Sequence, residues 1–90
     1  MKESYVQAQL VKGLRDAGHF AVKIDSVGMP DLFCVINNET VLIEVKSDKG
    51  RLSPNQKAMH ELLKRHAVNV IVIKGIVQVK EYLESVKCTS

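Results

Sequence analysis

Two apolar, β-branched runs, residues 31–36 and 41–46, are separated by only Asn37-Asn38-Glu39-Thr40. A link this short makes the two runs neighbouring antiparallel strands, and this hairpin restricts the fold more than any other feature of the chain. With a symmetric four-residue turn, Ile36 pairs with Val41, Phe33 lies opposite Glu44, and Asp31 lies opposite Lys46. Directly opposed residues share a face of a sheet, and so do residues two apart on one strand. Asp31, Glu44 and Lys46 are therefore expected on one side, with Asp31 and Glu44 as diagonal neighbours roughly 7 Å apart at Cβ. A one-residue slip would send the acids to opposite faces.

The rest of the chain can be read around that hairpin. Val6, Leu10, Leu14 and Ala17 recur at helical spacing, and Gly18 ends the helix. Residues 20–25 alternate Phe20, Val22 and Ile24 as a strand, followed by a turn-prone loop over 26–30. After Lys46 the apolar pattern stops, and residues 47–52 read as an exposed loop. Ser53 as N-cap, Pro54 at the first helical position and Gln56 three residues after the cap mark a helix running to about His66. Residues 68–73 form a nearly continuous apolar strand, and 77–86 a last helix in which Val77-Gln78-Val79 is alternatively strand. The expected architecture is α/β, in the order αβββαβα, with a mixed sheet flanked by helices. A chain of 90 residues supports one core, so residues 1–90 are expected to be a single domain.

Composition narrows the function classes. Aromatic residues make up 4% of the chain and Trp is absent, so the stacking platform of single-strand binders and RNA-recognition sheets is not expected. The net charge of +3 fits a polyanionic partner without requiring one. Cys34 and Cys88 stand in no zinc-like spacing and suggest no disulfide framework, and Cys34 reads as a small core hydrophobe. The first residues carry no apolar signal core and no stretch is long enough to span a bilayer, which points to a cytoplasmic location.

Two acids and one base on a helix-covered sheet need a physical reason, because a buried charge costs several kcal/mol unless it is paired or bound to metal. A hard divalent cation such as Mg²⁺ takes one or two carboxylates and completes its shell with water and phosphate oxygens. The alternative is a solvent-exposed salt-bridge group at the strand ends. Glu3 has two readings as well. It is either a first-turn acid favoured by the helix dipole, or, in series with Val6, Leu10 and Leu14, an acid turned toward the core-facing stripe. Gln56 either closes a capping box with Ser53 or contacts the site from the face it shares with Met59 and Leu63. Gly28 and Pro30 shape the bend before Asp31. His19, His60 and His66 form no ligand pair and read as surface or helix-end residues.

Gly28-Met29-Pro30-Asp31, Glu44-Val45-Lys46 and Leu52-Ser53-Pro54-Asn55-Gln56, behind a helix that bears Glu3, resemble the PD-(D/E)XK nuclease superfamily, and within it the small stand-alone VRR-NUC branch. The resemblance implies a restriction-endonuclease-like core and phosphodiester hydrolysis with Mg²⁺ or Mn²⁺ held by Asp31, Glu44 and the main-chain carbonyl of Val45. It implies that Glu3 completes the metal site directly or through water, that Lys46 positions or activates the attacking water, and that Gln56 lies beside the Glu-x-Lys strand. Lys49, Arg51 and Lys57 flank the expected pocket as candidate phosphate contacts. The partners implied are DNA, favouring branched forms such as four-way junctions, and a second copy of the chain in a homodimer. A phage-encoded member would act in the host cytoplasm. A duplex or flap nuclease working with a partner, and a silent nucleic-acid-binding module, are the alternatives.

Overall fold

Val6, Leu10, Val11 and Leu14 are buried along one stripe of α1 (Glu3–Asp16), which presses that stripe onto the sheet. The structure is a computed structural model describing residues 2–87, so Cys88 lies outside the described residues. After α1 come β1 (Phe20–Lys23), β2 (Leu32–Ile36), β3 (Glu39–Lys46), α2 (Pro54–Arg65), β4 (Val70–Lys74) and α3 (Gly75–Ser85). The element order and the mixed sheet flanked by helices agree with the sequence reading. Val77-Gln78-Val79 is helix, so the strand alternative falls.

The four strands lie in chain order, antiparallel from β1 to β3, with β4 parallel to β3. A parallel neighbour requires a crossover, and α2 supplies it. Leu32, Cys34, Ile36, Val41, Ile43 and Val45 point to one face and form the core with α1, Val79 of α3 and Ile73. On the other face α2 lies over the β3–β4 half. The β1–β2 half is open, leaving Phe20, Val22 and Phe33 exposed, with Phe20 edge-on to Phe33 at 6.2 Å between ring centres.

The hairpin register differs from the expected one. Ile36 pairs with Glu39, not Val41, because the turn is Asn37-Asn38 alone. Both residues have positive φ, 52° and 69°, the type I′ geometry that matches strand twist and that asparagine tolerates. The pairing therefore moves by two residues, an even number, and every side chain keeps its face. One step beyond the Leu32–Ile43 pair, Asp31 comes level with Glu44 and not with Lys46.

Two of the three histidines expected at the surface or at helix ends are instead buried. His66 is exposed at the end of α2, but His19 and His60 are buried. His19 lies in the link from α1 to β1, where its Nε2 is 2.7 Å from the carbonyl oxygen of Val86, so it ties the two ends of the fold together.

Candidate metal centre

Each carboxylate of the site arrives from a different element. Gly28, at φ +84°, takes the left-handed turn that reverses the chain after β1, and buried Pro30 then delivers Asp31 to the start of β2. The Asp31 carbonyl accepts from the Ile24 N–H at 2.8 Å, and its Oδ2 accepts from the Val45 N–H at 2.7 Å. The second bond pins the aspartate side chain to the peptide that follows Glu44. Glu3 is carried in by the helical stripe, since Val6, Leu10 and Leu14 on the same stripe are completely buried. Glu44, central on β3 and also completely buried, completes the group. One carboxylate oxygen from each of Glu3, Asp31 and Glu44 lies within 4.8 Å of the others.

The electrostatics of this cluster follow from its crowding. Burial first, then a hydrogen bond and negative charge from Asp31, with Glu3 adding to them, push the Glu44 carboxyl up from its ordinary 4.5 to about 8, against the pull of Lys46. Without a cation, Glu44 therefore keeps its proton at neutral pH. An all-oxygen, carboxylate-rich donor set of this kind suits a hard divalent ion such as Mg²⁺ or Mn²⁺. Lys46 lies two residues beyond Glu44 on the same face, and its charge acts on Glu44 and on His60.

Gln56 holds both of the positions read for it. Its Oε1 accepts from the Ser53 N–H at 2.9 Å while Ser53 Oγ accepts from the Gln56 N–H at 3.1 Å, a complete capping box. Its Nε2 in turn donates to Glu44 Oε2 at 3.4 Å. The box directs the amide oxygen to the backbone and thereby turns the amide nitrogen toward the site. One turn further along, His60 Nε2 lies 3.3 Å from Glu44 Oε1. Burial, followed by the charges of Lys64 and Lys46, pushes the His60 pKa down, so at neutral pH it meets the raised Glu44 as a neutral hydrogen-bonding partner. His60 did not stand out in the sequence; the available signal is its four-residue spacing from Gln56, which puts both on one helix face.

Lys49 and Arg51 lie on the loop leaving β3 and Lys57 lies on α2, all three exposed. Among the described residues, none of them pairs with a site carboxylate.

The sequence profile of the VRR-NUC domain matches residues 4–76, most of the chain and all of the site except Glu3. The chain belongs to the VRR-NUC domain family. Two solved structures share its fold. One, described as a VRR-NUC domain, superposes with a TM-score of 0.80 at 23% identity, over 93% of this chain and 96% of its own. The other, described as a VRR-NUC domain protein, gives 0.74 at 21% identity, over 96% of this chain and 88% of its own. No curated protein matches in sequence. VRR-NUC membership makes the chain a nuclease-fold module within the PD-(D/E)XK superfamily. No helix among the described residues is long and apolar enough to cross a membrane.

Proposed function

We propose that the chain is a Mg²⁺- or Mn²⁺-dependent endodeoxyribonuclease that hydrolyses phosphodiester bonds, selects branched DNA such as four-way junctions, and acts as a homodimer. The observation that carries the reading is the completely buried Glu44, with oxygens of Asp31 and Glu3 within 4.8 Å and Lys46 on the same sheet face. Asp31, Glu44 and the Val45 carbonyl would hold the ion, with Glu3 bound directly or through water. When bound, the ion supplies Lewis acidity toward water and toward the phosphate oxygens.

The chain's own groups do the remaining work. The bond from the Val45 N–H fixes Asp31, and the peptide so fixed is the one that follows Glu44. Lys46 directs an ammonium to the face where water would attack. There it orients that water and offsets the negative charge that develops on the phosphate. Lys49, Arg51 and Lys57, all exposed, would contact phosphates further along the strand. A silent binding module would have no use for three clustered carboxylates, one of them completely buried, beside a lysine. The branched substrate and the dimer rest on family resemblance, and for the dimer also on the open apolar half of the sheet at Phe20, Val22 and Phe33.

Labelled four-way junctions and matched linear duplexes, incubated with Mg²⁺ or Mn²⁺, test this reading. The native chain should cut junctions in preference to duplex, whereas folded Asp31→Ala, Glu44→Ala and Lys46→Ala variants should each lose about 100-fold or more. Variants that cut as well as the native chain would show that the chemistry lies elsewhere. Equal cutting of duplex would remove the branched preference alone.

A further inference from the structure

After Glu44, His60 is the most buried polar side chain among the described residues, 4% exposed. Its Nε2 is 3.3 Å from Glu44 Oε1, and the ring makes no other side-chain hydrogen bond among the described residues. Gln56, four residues earlier on the same face of α2, reaches the other oxygen, Oε2, at 3.4 Å. Both oxygens of Glu44 are therefore approached from one helix, and the first turn of that helix is locked by the Ser53–Gln56 box. A carboxylate that binds a cation can only accept hydrogen bonds, so the imidazole at this distance must donate.

We propose that His60 is a positioning residue for the metal centre. Its Nε2–H holds Glu44 Oε1 while Gln56 holds Oε2, which fixes the carboxylate plane so that the free lone pairs face Asp31 and Glu3. The role rests on the metal-dependent reading above and extends it to a residue that touches neither ion nor DNA. Hydrogen bonds to a metal-binding carboxylate set its orientation and basicity, and losing such a partner commonly weakens metal affinity about 10- to 100-fold. A residue that merely filled the space under α2 would be replaceable by a hydrocarbon of similar volume.

The test is direct Mn²⁺ binding, read from the electron paramagnetic resonance signal of the free ion at one fixed pH, with circular dichroism confirming that each protein is folded. His60→Leu removes the donor and keeps much of the volume, whereas His60→Gln places an amide N–H where Nε2 lies. The expected order is native, then H60Q within severalfold, then H60L about 10- to 100-fold weaker. Native affinity in H60L, or an H60Q variant no better than H60L, would overturn the positioning role. If H60L does not fold, His60→Met makes the same comparison against H60Q. A native chain that binds no Mn²⁺ would remove the metal centre itself, and this inference with it, a result distinct from native binding that survives loss of the imidazole.

Discussion

At Glu44 a demand of folding and a demand of chemistry fall on one carboxyl group. Folding buries it completely, between two other acids and under α2, and so holds its proton up to about pH 8. Metal binding requires that proton to leave. Between its ordinary value of 4.5 and its folded value of about 8, the folded state binds more protons than the unfolded chain. Stability without metal should therefore fall as pH rises through that window. Urea unfolding at pH 5 and pH 8 should show the native chain weaker at pH 8, and Mn²⁺ should restore it there more than at pH 5, because binding to the folded state alone stabilises it. Glu44→Gln, neutral at every pH, should flatten much of the difference, unfold later than the native chain at pH 8 without metal, and gain nothing from Mn²⁺. An equally steep pH dependence in that variant would mean that another group titrates. The presence of Glu44 and its partners was legible in the sequence, because parity along a strand fixes faces. Its protonation was not, since that depends on how closely Glu3 and Asp31 approach.

The hairpin and α2 show how elements turn a pattern into a site. The reading of the hairpin had the right faces and the wrong partners. A four-residue and a two-residue turn differ by an even register shift, and side-chain alternation cannot distinguish them. At residues 20–22, Phe20 and Val22 have the more hydrophobic side chains, yet Ala21 is the one buried against the core. Alternation identified the strand, but the inward face depends on where α2 ends. In α2 the cap was plain from Ser53-Pro54 and Gln56, and a contact from Gln56 to the site was one of its two readings, whereas the place of His60 required knowing that α2 lies against Glu44. Ser53→Ala should therefore cost about 1 kcal/mol of stability in chemical denaturation. Cleavage should survive at saturating metal, since Gln56 Nε2 still faces Glu44. Gln56→Ala loses both bonds and should reduce stability and metal affinity together. A Gln56→Ala variant with native affinity would confine Gln56 to capping.

At the scale of the molecule, the order of elements could be read because each boundary carries its own chemistry, from Gly18 after α1 to Ser53-Pro54 before α2. The turn from β4 into α3 was less visible. Gly75 stands there with φ +75°, and a Cβ would come within 2.9 Å of Asp48 Cβ, so β4 passes into α3 with no intervening loop. What a single chain leaves unfinished is the sheet face beyond α2, where Phe20, Val22 and Phe33 remain exposed beside strands whose other side is fully packed. A domain this small has little surface to spare, and a two-fold partner covering that face would set two candidate metal centres in one particle. Under the homodimer reading, the native chain should sediment as a dimer at micromolar concentration. Combining Phe20→Glu with Phe33→Glu should give a folded monomer, because paired like charges across a two-fold axis oppose closure. Paired incisions of a junction should then become single nicks, with the chemistry of each cut intact. A native chain that sediments as a monomer would remove the dimer, whereas a double variant that stays dimeric would move the interface to another surface.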